Sequence, residues 1–204
     1  MVRVKICGIT SVEDALATVE AGADAIGLNF ASSSPRRVTT ALASAIVRAL
    51  PAHVVSVGVF VDADRGELRR TIDAVGLRCI QLHGDETPEL LFDFLPHAYK
   101  AIRVRGSSSL LDAARYPGDH ILLDAYVAGV AGGTGATFDW TLAAELARSR
   151  HLTLAGGLTS DNVADAVRAV RPFCVDVASG IEVSPGKKDH AKLRSFITQA
   201  KAAG

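Results

Sequence analysis

The feature that most constrains the fold is an alternation repeated along 204 residues: a short apolar run, then a segment with helical spacing. Val2–Cys7 (VRVKIC) leads into the helical SVEDALATVEAG, which Thr10 or Ser11 caps and whose first-turn acids Glu13 and Asp14 suit the helix dipole. Ala23–Phe30 and Val54–Val61 read as the next strands, with helices over Thr39–Leu50 and Arg65–Val75, the second stopped by Gly76. Strand Arg78–Leu82 precedes helix Pro88–Leu95, which has proline in its first turn, and Tyr99–Val104 precedes a helix around Ser109–Arg115. Ile121–Asp124, the long irregular segment Ala125–Thr137 and helix Trp140–Arg148 follow. Leu152–Ala155 with Asp161–Val170, and Cys174–Ala178 with Lys188–Ala202, complete the set.

These are eight strand–helix pairs of about 25 residues each, 204 divided by eight. Continuous apolar runs, rather than alternating ones, are what strands buried on both faces of a parallel sheet require. The expected fold is α/β, a (β/α)8 TIM barrel in which residues 1–204 form a single domain. A doubly wound open sheet would carry a glycine-rich fingerprint after its first strand, and none is present.

Charge excludes some partners. Lys and Arg number 22, Asp and Glu 22, so no basic face drives counterion release from nucleic acid. No run approaches ~18 apolar residues and the N-terminal run is too short for a signal sequence, so no membrane partner is expected. Three dispersed cysteines make neither a disulfide framework nor a metal pair, which suits a cytoplasmic protein with reduced thiols.

In such a barrel the chemistry sits where the strands end. Those positions offer Cys7 and Gly8, Asn29 and the following Arg36, Asp62, His83 and Asp85, Arg103, Asp124, Gly156 and Gly157, and Ser179 and Gly180. The AGG and ASG turns after strands 7 and 8 put small residues where this architecture usually holds phosphate. Asp124 ends an apolar run as an isolated carboxylate that desolvation would suit to proton donation. The glycine-rich stretch after it is a lid or a floppy connection, and it lacks Walker spacing. Arg36 suits a carboxylate or phosphate, or is a surface arginine; His83 is a proton carrier, polar wall or structural residue. His53, His120 and His151 fall on the opposite face, Cys79 and Cys174 read as core filler, and no motif implies a metal. Cys7 by itself is core, a redox bystander or a proton-handling group.

Taken together, KICGIT (5–10), SPRRV (34–38), VGVFV (57–61), QLHGDE (81–86), LLDA (122–125), GGTGATFDW (132–140), LAGGL (154–158), DVASGIE (176–182) and PGKKD (185–189) resemble phosphoribosylanthranilate isomerase along essentially the whole chain. The resemblance implies an Amadori rearrangement of N-(5-phosphoribosyl)anthranilate without cofactor or metal. It makes Cys7 the general base and Asp124 the general acid, with Arg36 on the anthranilate carboxylate. Gly156, Gly157, Ser179 and Gly180 would hold the phosphate, and His83 and Asp176 would complete the substrate site. It implies a phosphorylated small-molecule substrate and a monomer or homodimer. Whether the phosphate or nearby Lys5 and Arg36 dominate the Cys7 thiol is left open. Rival barrels fit less well: indoleglycerol-phosphate synthase would want a lysine at a strand end, and ribulose-phosphate epimerase paired metal-ligating histidines. A non-catalytic phosphosugar-binding barrel would need the two glycine turns but not both Cys7 and Asp124.

Overall fold

The computed structural model describes residues 1–104, 108–124 and 140–204, with side chains 108–110 and 141–142 and that of Trp140 outside the description. The glycine-rich stretch expected as a lid lies outside the described residues, as does most of GGTGATFDW. In chain order the elements are β1 (Arg3–Cys7), α1 (Val12–Glu20), β2 (Ala25–Asn29), α2 (Thr40–Ala49), β3 (Val55–Phe60), α3 (Arg65–Val75), β4 (Cys79–Leu82) and α4 (Pro88–Phe92). There follow β5 (Ala98–Arg103), α5 (Ser108–Ala114), β6 (His120–Asp124), α6 (Trp140–Ser149), β7 (His151–Ala155), α7 (Val163–Val170) and β8 (Cys174–Val177). A 3-10 turn (Ser179–Ile181), the hairpin strands β9 (Glu182–Ser184) and β10 (Lys187–Lys188), and α8 (His190–Ala203) end the chain.

Strands β1 to β8 pair in sequence order and close, β8 returning to β1 in parallel with Lys5 opposite Asp176. Ser11, one of the two expected caps, accepts the backbone N–H that starts α1 and Gly76 ends α3 in the left-handed region, as expected; the side chains of Thr39, Asp64 and Thr87 cap α2, α3 and α4 in the same way. One boundary differs with consequences. The last helix begins at His190, because Asp189 caps it, and Lys188 belongs to β10 instead.

Side chains alternate along a strand, so each strand faces the helices with one set of residues and the barrel axis with the other. Ile6, Ile26, Leu28, Ile80, Ile121, Leu123, Leu154 and Val175 join the helices in the large outer core. Val57, Tyr99, Ala101, Leu122 and Ala155 form a smaller inner one. The inward set also contains Lys5, Gln81, Thr153 and Asp176, all buried. Such groups persist in a core only when paired, and their pairing organises the site above them.

Candidate active site

At the C-terminal end of the barrel a cavity of about 310 Å³ opens. Its lining includes Cys7, Arg36, His83, Asp124, Gly156, Gly157, Asp176, Ser179 and Gly180, so all the residues singled out on resemblance meet in one place. Asp62, Asp85 and Arg103, also at strand ends, are elsewhere: Asp62 accepts the Asp85 N–H, and Arg103 donates to the His83 carbonyl. Cys7, Gln81, His83, Asp124 and Asp176 come from β1, β4, β6 and β8 or the residue just beyond, and rigid strands fix their spacing.

Cys7 is the upper end of an inward series, Arg3, Lys5, Cys7. Gly27 on β2 leaves it room, since a Cβ there would come within 2.7 Å of the sulfur. Burial pushes the thiol up from its ordinary value; Lys5 pulls it down, Asp176 pushes it up, and Lys188 pulls it down. The net direction is up, so the resting group is a thiol at neutral pH.

Below Cys7, Lys5 Nζ lies 2.7 Å from Asp176 Oδ2 and 3.0 Å from Gln81 Oε1. Burial acts to lower the Lys5 ammonium, but Asp176 overcomes it and holds the group well above its ordinary value. Among the described residues the other oxygen of Asp176 has no hydrogen-bond partner although it is buried. Since Asp176 also lines the cavity, that oxygen is an acceptor awaiting a donor.

Asp124 is not isolated, as the sequence suggested. His83 Nε2 stands 3.4 Å from its Oδ2, and the carboxylate is about a quarter exposed (26%) rather than dry.

Arg36 reaches the cavity from the loop after β2. Its Nε and Nη2 grip Glu182 at 2.8 and 2.6 Å, a fork-on-carboxylate contact that consumes one edge of the guanidinium and orients the other. Burial pushes Glu182 up, but Arg36 and Lys188 outweigh it and hold the carboxyl below its usual range. Lys188, wholly buried, spends its ammonium on Glu182 at 2.9 Å, the Cys7 carbonyl at 2.6 Å and the Ala178 carbonyl at 3.3 Å. The β9–β10 hairpin is thus tied to the end of β1 by one lysine. Gly8 (φ 72) allows the close approach, because a Cβ there would strike Arg36 Cδ at 2.5 Å.

The two glycine turns meet as backbone surfaces. A Cβ on Gly180 would lie 2.0 Å from the Leu158 carbonyl, so any side chain would push the β7 and β8 turns apart. The 3-10 turn directly after β8 supplies the short extra helix this architecture uses near phosphate.

Glu182, Lys188 and Gln81 were missed in the sequence. Gln81 and Lys5 had a signal: polar residues at inward positions of apolar strands need partners. Lys188 and Glu182 had none, because their burial depends on the hairpin folding back. No group of three His, Cys, Asp or Glu side chains among the described residues is arranged to hold a metal ion. No helix among them is long and apolar enough to cross a membrane.

Comparison with known proteins gives a consistent result. A family model described as N-(5'phosphoribosyl)anthranilate (PRA) isomerase matches residues 4–199. N-(5'-phosphoribosyl)anthranilate isomerase of Pseudomonas fluorescens is 53% identical over 198 residues, 96% of this chain and 97% of its own. The crystal structure of phosphoribosyl anthranilate isomerase from Thermotoga maritima superposes with a TM-score of 0.90 at 43% identity, covering 99% of this chain and 100% of that one. A structure of such an isomerase in complex with reduced 1-(o-carboxyphenylamino)-1-deoxyribulose 5-phosphate gives 0.88 at 41% identity, with the same coverage.

Proposed function

Since the chain belongs to the phosphoribosylanthranilate isomerase family, we propose that its barrel mouth carries out that family's Amadori rearrangement through Cys7 and Asp124, as a step of tryptophan biosynthesis. The observation that carries the assignment is the placement of a half-buried thiol at the end of β1 and a carboxylate at the end of β6 in the lining of one cavity.

The substrate is a phosphorylated aminoaldose closed as a furanose. Asp124 gives a proton to the ring oxygen, and the anthranilate nitrogen lone pair expels that oxygen from C1′, leaving an iminium. The hydrogen on C2′ is then acidic, because the C–H electrons can flow into the C1′–C2′ bond and neutralise the iminium. Cys7 takes that proton from the minor thiolate form, reached by loss of the thiol proton to solvent and favoured by Lys5 and Lys188. The resulting enolamine tautomerises to the ketose, so no atom is gained or lost and no electron carrier is required. In this reading Arg36 offers its outer edge to the anthranilate carboxylate and the turns at Gly156–Gly157 and Ser179–Gly180 hold the phosphate. Asp176 accepts a substrate hydroxyl through its unused oxygen, and His83 walls the pocket beside Asp124. Residues 1–204 act as one domain, as a cytoplasmic monomer or homodimer that engages neither nucleic acid nor membrane and needs no cofactor.

The test is loss of anthranilate-type fluorescence when phosphoribosylanthranilate is mixed with the protein. Decay is expected with wild type; a persistent signal would leave a mere binder. Cys7→Ala and Asp124→Asn should each lower kcat by about 10²- to 10⁴-fold with KM little changed. Near-wild-type turnover in either variant removes its assigned role.

A further inference from the structure

We infer that Gln81 is a positioning residue: it fixes the tautomer of His83 so that the Nε2–H is presented to Asp124. The inference rests on the reading of Asp124 as the acid and concerns how that acid is held.

An amide oxygen and nitrogen are hard to tell apart by shape, but here a neighbour decides. The Lys5 ammonium has three donors and no acceptor, so the Gln81 atom 3.0 Å from it is the carbonyl oxygen. The Tyr99 hydroxyl meets the same oxygen at 3.0 Å. The Gln81 NH2 is therefore the group 2.9 Å from His83 Nδ1. An NH2 only donates, so Nδ1 accepts, and the proton of the neutral imidazole lies on Nε2. Nε2 is the atom 3.4 Å from Asp124 Oδ2. That separation is long, as catalytic contacts are before a ligand draws them in.

From Lys5 the series Gln81, His83, Asp124 therefore runs in one donor–acceptor sense around the pocket, while Lys5 also donates to Asp176 on its other side. Its consequence is chemical. With the proton on Nε2, His83 faces Oδ2 with a donor, and that oxygen serves as acceptor when the contact shortens. The opposite tautomer would set a lone pair against Oδ2 and draw the acidic proton toward His83 instead.

A purely structural Gln81 would serve Lys5 and Tyr99 alone. Gln81→Glu keeps the shape and both of those contacts but removes the donor to His83, so it separates the two roles. Nitrogen-15 spectra of histidine-labelled protein, with His83→Asn to assign the signal, read the tautomer directly. In wild type, His83 Nδ1 should resonate as an unprotonated acceptor and Nε2 as a protonated nitrogen; in Gln81→Glu, Nδ1 should become protonated. Turnover of Gln81→Glu should fall by about 10- to 100-fold, part of what a general acid contributes, with KM within about threefold. A wild-type His83 protonated at Nδ1 overturns the proposal whether or not Gln81→Glu folds. Wild-type kcat in Gln81→Glu overturns it too. Asp124→Asn distinguishes this from the underlying assignment: full turnover there would remove the acid, while the His83 spectrum would still report whether Gln81 sets the tautomer.

Discussion

The two ends of this barrel are built from the same strands yet manage ionisable groups in opposite ways. At the C-terminal mouth, β1, β4, β6 and β8 end in or near Cys7, His83, Asp124 and Asp176, and most of the charge there is paired: Lys5 with Asp176, and Lys188 and Arg36 with Glu182. At the other end a cavity of about 390 Å³ is lined by the first residues of the same strands, among them Arg3, Cys79, His120, His151 and Cys174. There burial favours the neutral forms of His120, Cys79 and Cys174. His120, stacked on Tyr99 with centroids 4.2 Å apart, is pushed down to about 4, first by burial and then by His151 and Lys5. Cys174 is pushed up to about 12, chiefly by burial. A strand residue two or four positions along faces the same axis. Only the partners that neighbouring strands supply decide whether it stays charged.

Lys5 sits where the two regimes meet, lining the lower cavity while its ammonium serves the upper site. Breaking it should have the largest effect on the fold. Lys5→Met leaves Asp176 as a buried carboxylate without its counter-ion, and removing one member of such a pair costs about 3–5 kcal/mol. Adding Asp176→Asn should recover much of that loss, because the orphaned charge goes with it. Urea midpoints of the two singles and the double close the cycle. A loss under about 1 kcal/mol in Lys5→Met would mean that the charges at the mouth are set by solvent rather than by each other.

The lower end is tested by acid. Folded His120 binds its proton near pH 4 rather than at the ordinary 6.5, so the unfolded chain takes up the proton first as pH falls. Stability from this group is complete above pH 6.5 and drains away toward pH 4. The span of about 2.5 units corresponds to roughly 3 kcal/mol. His120→Phe keeps the stacking but loses the contact to Thr153 Oγ1 at 2.7 Å. It should be slightly less stable than wild type near pH 7.5 and lose less on going to pH 5. Parallel acid slopes in the two proteins would show that His120 is not what senses pH there.

Much of the mouth was legible because its residues close strands whose apolar text is plain: Ile121 to Leu123 before Asp124, Val4 to Ile6 before Cys7. The cap of α1 was legible because a hydroxyl satisfies a helix start wherever it stands. The layer beneath was not read, although it left a trace. Lys5, Gln81 and Asp176 interrupt apolar strands at the inward parity, two residues before Cys7, His83 and Ala178. Which of them touch depends on the stagger of parallel strands that are not all neighbours, and one strand's spacing cannot give that. Lys188 was read as the first residue of a helix. It ends the return strand of a hairpin that is fixed by contacts to Asp14 and Thr10 from the far end of the chain.

That hairpin gives the smallest effect and the most selective one. Glu182 holds Arg36 by Nε and Nη2, so the edge turned to the cavity is set by a carboxylate that itself leans on Lys188. Glu182→Gln keeps the volume but has one acceptor oxygen instead of two and no charge, so the guanidinium loses its fork. If Arg36 binds a substrate carboxylate, the cost falls on binding rather than on the proton transfers proposed for Cys7 and Asp124. KM should rise about tenfold, near 1.4 kcal/mol, with kcat within about threefold. Arg36→Met, which removes the cation itself, should raise KM further. Steady-state kinetics on both variants rank the two effects. An unchanged KM in Glu182→Gln would detach the hairpin from substrate binding, and a fall in kcat alone would move its influence, through Lys188 and the Cys7 carbonyl, to the base.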